Sequence, residues 1–370
     1  MASLGGRNMR LFSDFWKVLR EFNPEEISRE AQQPIKLVVI SSPETDKTSL
    51  VRSLVAGAPL ALHPSLVQSL NLPADPNQVQ PPVGDVVIHI LNATVGFTPA
   101  DRRLAVLLYG QSRPVLYVFQ TSASSTPAHP SVPSAAAARA LVAELFGHHA
   151  PQAVLYLDHS FRAAHDFANS RELGDREDIA HESAEHQALL RTILDLVPQK
   201  QLALGRSLPA ARPHVANSAI LQTSIANAQF ALLSSLPANL PIVGGVIGSS
   251  ADFVVLTKNQ ALLVYRLAAL YGRDHTAKMR LLAEMAPVVG AGFLWRTLAR
   301  TIVGFLPTAM AAVPKTAVAF VGTYVIGRCA QFYYATGRRP SQAALRAYSA
   351  EGTDLWAELF RPAAGDDSER

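Results

Sequence analysis

The sequence predicts an α/β domain built on a doubly wound parallel sheet, followed by an all-helical domain. Three observations carry this prediction. Four short apolar runs, at 37–40, 85–91, 114–119 and 152–157, are rich in β-branched residues and read as strands buried on both faces. Helix-length segments connect the later runs, which is the alternation of a parallel sheet with crossover helices. Beyond residue 198 the alternation stops and only helix-length apolar patterns remain.

In chain order, Met9–Phe22 reads as an amphipathic helix. Phe12, Phe15, Trp16, Leu19 and Phe22 recur at steps of three and four, with Arg10, Lys17 and Arg20 beside them. Packing onto the following domain is the expected use of that stripe, and a membrane surface is the alternative. Asn23-Pro24-Glu25-Glu26 opens a second helix with a cap, a proline at the first position and acids behind it. That helix ends near Gln33-Pro34, where the first strand begins.

The first strand runs into a polar turn and then a helix opened by Lys47, Thr48 and Ser49. Strand, loop, Lys-Thr, helix is the order of a phosphate-binding P-loop, G-x-x-x-x-G-K-S/T. Lys47 and Thr48 keep their places, but the two glycine positions are Ser41 and Asp46. The glycines let backbone N–H groups wrap a phosphate closely, which a Cβ resists. Asp46 adds a carboxylate where phosphate charge would lie. The spacing points to nucleotide-binding ancestry, and the residues to a damaged site. GTP or ATP with magnesium would bind weakly at most.

Of the remaining α/β elements, the best-signalled helix starts at Thr98-Pro99-Ala100-Asp101 and runs to about Tyr109. Ser134–Phe146 and Glu182–Leu196 are the others, the last closing the domain at Pro198. The stretch 57–84, broken by Pro59, Pro64, Pro73, Pro76, Pro81 and Pro82, is a poor place for two further sheet strands and both nucleotide-sensing switches. The helical half reads as Ala216–Ser235, Ser250–Tyr271 with Gly272 as C-cap, Asp274–Met285, Val288–Phe305, Ala311–Tyr334 and Ser341–Phe360. Gly244 with Gly248, and Ala319, Thr323 and Gly327, stand at four-residue spacing, which signals close helix approach in membranes or out of them.

Two resemblances rest on these residues. Residues 85–123, DVVIHILNATVGFTPADRRLAVLLYGQSRPVLYVFQTSA, resemble the second half of an Era/TrmE-like GTPase domain. In that family the first of these strands leads into D-A-x-x-G-L-T-P-x-D, and the next ends in the guanine-reading N-K-x-D. Asn92 replaces the first Asp, while Gly96, Thr98, Pro99 and Asp101 match. The guanine motif is Gln120-Thr121-Ser122-Ala123, with Ala123 in place of the Asp, so guanine selectivity is expected to be lost. No D-x-x-G magnesium motif stands ahead of Asp85. The later segments LPIVGGVIGSSADFVVLTKNQALLVYRLAALYG, EMAPVVGAGFLWRTLAR and VPKTAVAFVGTYVIGR are similar to the bacterial GTPase-associated domain of unknown function numbered six-nine-seven. Together the resemblances imply a P-loop GTPase-like sheet domain joined to a helical domain. The expected layout is amphipathic helices at 1–33, the GTPase-like domain at 34–198, the helical domain at 199–361 and a disordered tail at 362–370.

Composition narrows the function classes. A hydrophobic share of 49% is ample for buried cores, and a single cysteine, Cys329, excludes an internal disulfide and fits a reducing compartment. MASLGGRNMRLF has no apolar signal-peptide core. Residues 199–370 hold 17 Lys and Arg against 9 Asp and Glu, a net of +8, while the remainder has 16 against 20, a net of −4. A basic helical half suits an acidic partner, whether lipid headgroups, nucleic acid or the acidic first half. Arg296, Arg300, Lys315 and Arg328 are the candidate membrane-facing residues, with no clean transmembrane span around them. His181-Glu182-Ser183-Ala184-Glu185-His186 misses the H-E-x-x-H spacing by one residue, so no zinc site is expected. Arg328, Phe332, Tyr333, Tyr334, Arg338 and Arg339 read as packing with surface charge, not as a nucleic-acid patch. The sequence therefore reads as a non-catalytic regulatory or scaffolding protein, a pseudo-GTPase with a protein partner. Its expected place is the cytoplasm, peripheral on a bacterial inner membrane. A residual NTPase using Lys47 and Thr48, and a soluble interaction module, are the alternatives.

Overall fold

The computed structural model describes residues 25–58, 63–121, 132, 134–147, 153–157, 184–234, 249–273 and 312–360. The chain forms two compact units, one of Ala31–His214 and the other of the chain on either side of it.

The first unit is a five-stranded parallel sheet of order β2-β1-β3-β4-β5, flanked by helices. Its strands are β1 Leu37–Ser41, β2 Val67–Asn71, β3 Val86–Asn92, β4 Val115–Gln120 and β5 Ala153–Leu157. The four apolar runs are thus strands, each within one residue of its expected ends. β2 corrects the reading of 57–84: a strand does form there. Pro64 and Pro73 fall outside it, and β2 pairs with β1 alone, Leu37 opposite Val67 and Ser41 opposite Asn71. As an edge strand it is only partly buried, so Val-Gln-Ser-Leu-Asn never shows the continuous apolar run of the inner strands.

α1 Glu25–Gln32 crosses the boundary, with Glu25–Glu30 in the helical unit, and the helices of the sheet unit are α2 Thr48–Val55, α3 Pro99–Gly110, α4 Ala135–Phe146, α5 Ala184–Leu196 and α6 Gln201–Ser207. Ser134 caps α4, accepting the Ala137 amide. α3 opens with a full capping box: Thr98 accepts the Asp101 amide, and Asp101 accepts the Thr98 amide. One core layer joins Leu104 and Leu108 of α3, Val142 of α4, Phe97, and Tyr117 and Phe119 of β4.

Two boundaries differ from expectation. The α/β unit continues past Pro198 to His214. Lys200 donates to Asp85 Oδ1 at 2.7 Å and to the Pro34 carbonyl at 3.0 Å, and Leu202, Leu204, Leu208 and Ala211 are buried. The segment read as the start of the helical domain is therefore a wrap on the sheet domain. α7 also starts earlier than Ala216, at Arg212, because Pro213 is tolerated in a first turn whose N–H groups lack helical partners anyway.

The helical unit contains α7 Arg212–Leu233 from Val215 onward, α8 Ser249–Leu270, α9 Ala312–Thr336 and α10 Gln342–Leu359. α8 ends at Gly272 with φ +70°, a glycine C-cap as expected, and Ser341 caps α10 by accepting the Ala344 amide. α9 is buried on most of its circumference: Ala319, Phe320, Val321, Thr323, Val325 and Ala330 are all enclosed. Arg266 of α8 pairs with Glu30 of α1 at 2.8 Å. The expected helices at 9–22, 274–285 and 288–305, the Gly244–Gly248 pair, Arg296, Arg300 and the tail lie outside the described residues. Among the described residues no helix is long and apolar enough to cross a membrane.

The small-residue spacing on α9 has a physical reason. A Cβ on Gly327 would sit 2.7 Å from Ile220 Cγ1, 2.9 Å from Ile220 Cγ2 and 3.1 Å from Leu263 Cδ2. The two Ile220 atoms are bonded to the Cβ of a β-branched side chain, which is stiff at χ1, so relief requires a shift of Ile220 or of the helices. Gly327→Ala is expected to lower stability by about 1–3 kcal/mol, the usual range for overpacking. Urea denaturation of the full chain followed by circular dichroism would show it as a lower midpoint.

Candidate functional site

In a doubly wound sheet, ligands bind outside the carboxyl ends of the strands where the chain order reverses. Here that point lies between β1 and β3, and the loops there are 42–47 and 93–98. The strands bordering it end in uncharged polar residues: Asn71 on β2, Ser41 on β1, Asn92 on β3 and Gln120 on β4.

The 42–47 loop brings the predicted site residues together. Ser41 is fully buried, and its hydroxyl lies 3.0 Å from the Ser42 carbonyl and 3.3 Å from that of Thr45. Asp46 accepts the Thr48 amide on Oδ1 at 2.8 Å and the Ser49 hydroxyl on Oδ2 at 3.1 Å. The Thr48 amide above all, with the Ser49 hydroxyl, holds the Asp46 carboxyl below its ordinary pKa against the opposing effect of partial burial. Lys47 turns its ammonium to Asn71 Oδ1 and to Ser41 Oγ at 3.5 Å, and partial burial pulls its pKa down. None of Ser41–Thr48 has a positive φ. One common anion-cradling nest of successive N–H groups alternates right- and left-handed residues. This loop has the P-loop spacing without that backbone path, and a carboxylate of its own holds the first free amide of α2.

The second loop is equally self-contained. Asn92 Oδ1 accepts the Thr94 amide at 2.8 Å, and the Asn92 carbonyl accepts Val95 and Gly96. Gly96 takes φ +74°, the conformation that calls for glycine at this turn. Gln120 accepts the Ala93 amide through its backbone carbonyl. Of the degenerate guanine motif, Ser122 and Ala123 lie outside the described residues.

Behind this loop is a pair that sequence reasoning missed. His89, fully buried in β3, lies with Nε2 2.8 Å from Asp101 Oδ1. Asp101 Oδ2 meanwhile accepts the Thr98 amide at 2.9 Å and the Thr98 hydroxyl at 2.6 Å. Burial pushes the Asp101 carboxyl up, but the hydrogen bond and charge of His89 and the Thr98 bonds outweigh it and leave the pKa below its ordinary value. The signal was a lone imidazole in the run Val-Val-Ile-His-Ile-Leu, facing a capping box twelve residues on.

Lys315 and Arg328, predicted to face lipid, are engaged inside the helical unit. Lys315 donates to Ser234 Oγ at 2.6 Å. Arg328 donates to Asn217 Oδ1 at 3.1 Å and Gln331 Oε1 at 2.9 Å, lies over the Tyr348 ring and has Glu351 3.7 Å from its Nε. Cys329 is buried, which pushes its thiol up to about 12. Among the described residues no group of three or more His, Cys, Asp and Glu could hold a metal ion.

His186, from the near-miss zinc motif, is buried on α5. Burial and then the charge of His214 lower its pKa; burial and then Arg191 lower that of His214. Both imidazoles therefore bind protons less readily folded than unfolded, where the value is about 6.5. The unfolded chain takes up more protons as pH drops below that value, so stability present above pH 7 is lost on acidification toward the folded pKa values. Urea midpoints are expected to fall between pH 7 and pH 5, and His186→Gln with His214→Gln should flatten that slope.

No protein-family model, curated protein or solved structure matches this chain.

Proposed function

We propose that the α/β unit is a nucleotide-fold domain of P-loop GTPase type that has lost nucleotide handling and serves a non-catalytic, regulatory or scaffolding role together with the helical unit. The observation that carries this reading is the Asp46 carboxylate on the Thr48 amide, the position a phosphate oxygen would need. Three further features support it. Lys47 is held by Asn71 and Ser41. The strand beside β1 ends in Asn71, an amide, where P-loop enzymes place a carboxylate that holds magnesium. Asn92 binds its own loop. The order 2-1-3-4-5 is shared with flavodoxin-like sheets, so the P-loop assignment rests on the spacing of Lys47 and Thr48 after β1.

Calorimetry of the full chain with GTP and with ATP in magnesium is the test. No saturable binding at micromolar nucleotide is expected. Asp46→Gly should introduce weak, base-indifferent binding, because it frees the Thr48 amide and removes a negative charge beside the phosphates. Micromolar, guanine-selective binding by the unaltered protein, abolished by Lys47→Ala, would overturn the reading in favour of an NTPase.

For the helical unit we propose a peripheral contact with an anionic membrane surface. Its support is the net charge of +7 over residues 215–361, 13 Lys and Arg against 6 Asp and Glu, since basic residues near such a surface contribute about 1 kcal/mol each. Flotation with phosphatidylglycerol vesicles at low salt, lost at high salt, is the expected outcome. Protein that stays unbound at low salt would remove this part of the proposal.

A further inference from the structure

We propose that the buried His89–Asp101 pair is a clamp that fixes the crevice loop 92–98 to the sheet, so that this loop is a static part of the domain and not a ligand-responsive one. The argument starts with the strand. β3 is the central strand, and every other residue from Val86 to Leu91 is aliphatic and buried. Packing alone would place another aliphatic residue at 89. An imidazole there is costly unless it is hydrogen-bonded, because burial strips its polar atoms of water. Among the described residues His89 Nδ1 is buried with no hydrogen-bond partner, as is the hydroxyl of Tyr117 on the neighbouring strand. The favourable polar contact that the imidazole brings is the one to Asp101.

The other end explains why that contact matters. A capping-box carboxylate usually sits at a wet helix end. Asp101 is 2% exposed, so water cannot complete its coordination. Thr98 supplies two donors to Oδ2, and His89 supplies one to Oδ1. Nε2 carries a proton whether the ring is neutral, in the tautomer this contact selects, or charged, so the bond persists in both states. The strand thereby grips the first turn of α3, and Thr98 ends the 92–98 loop. The loop's start is tied by Asn92, and Phe97 packs edge-on against Tyr117 and Phe119. A loop anchored at its start, within it and at its end has one conformation available.

Amide hydrogen exchange on the full chain tests this. In His89→Leu, the amides of Val95, Gly96 and Arg102 are expected to exchange at least tenfold faster, while those of β1 change less than threefold. Asp101→Asn keeps the shape, removes the charge, and should produce the same local pattern. The double variant should show no more than the effect of Asp101→Asn alone, because that change already weakens the His89 contact along with the Thr98 bonds. Equal acceleration across the sheet and loop would show that His89 is only a core residue and would overturn the clamp. So would loop amides that exchange at the original rate in either variant, or effects of the two changes that simply add. Should His89→Leu fail to fold, Asp101→Asn alone decides between local and uniform acceleration.

Discussion

Asp101→Ala is expected to lower the stability of the α/β unit by about 3–5 kcal/mol, the combined effect of losing hydrogen bonds to a buried carboxylate and leaving buried donors unsatisfied. The reasons add up at one residue. The substitution removes the acceptor of the Thr98 amide and hydroxyl, which dismantles the capping box of α3. It leaves His89 in the fully buried centre of β3 without its Nε2 acceptor. It also opens space next to Thr98 that packed neighbours fill only in part. An instructive control is Asp75, exposed at the start of the short 3-10 turn Pro76–Gln78, where it accepts the Asn77 amide. Asp75→Ala removes a cap of the same chemistry in water, and about 1 kcal/mol or less is expected. Urea denaturation of both variants at pH 7 would show the contrast. A loss at Asp101 no larger than at Asp75 would mean that the buried pair contributes nothing beyond an ordinary cap.

Elements that satisfy themselves locally were legible in the sequence; partnerships across the fold were not. β1, β3 and β4 announce themselves because strands covered on both faces must be apolar throughout, and β5, although half-buried at Leu155 and Tyr156, keeps the apolar run Ala-Val-Leu-Tyr-Leu. The starts of α3, α4 and α10 were legible because Thr98, Ser134 and Ser341 close their bonds within three residues. β2 escaped because its own pattern, Val-Gln-Ser-Leu-Asn, is mixed where the other edge strand is apolar, and prolines on both sides disguised it. The end of the α/β unit escaped because its anchor, Lys200 on Asp85, spans 115 residues. The candidate loop lies between these cases. Its spacing sets Ser41, Asp46, Lys47 and Thr48 on one loop, and Asp46 reads in the sequence as a misplaced charge. That the carboxylate folds back onto Thr48, and that Lys47 reaches Asn71, depends on the course of the loop and on β2. A sequence pattern carries neither.

The same distinction sets the second large effect, in the helical unit. Ala319, Thr323 and Gly327 read as a strip for close helix approach, and Gly327 fills that role against Ile220 and Leu263. Thr323 does more. Its hydroxyl donates to the Ala319 carbonyl at 2.8 Å and accepts from Asn227 of α7 at 2.8 Å and Gln260 of α8 at 3.2 Å. Asn227 in turn accepts from Asn259 at 2.8 Å. Three helices thus meet at a polar knot in which Asn227 and Thr323 are fully enclosed. Asn227→Ala is expected to cost about 2–4 kcal/mol, through the lost amide volume and the stranded Asn259 amide group. Thr323→Val is nearly isosteric but strands donors of both Asn227 and Gln260, so about 1–3 kcal/mol is expected. Asn227→Leu combined with Thr323→Val should cost less than the sum of the two singles, because that pair no longer holds a donor facing a methyl group. Urea midpoints of the full chain for the single and double variants would measure that coupling. Strictly additive losses would show that the knot has no cooperative role and that close packing alone sets the register of α7, α8 and α9.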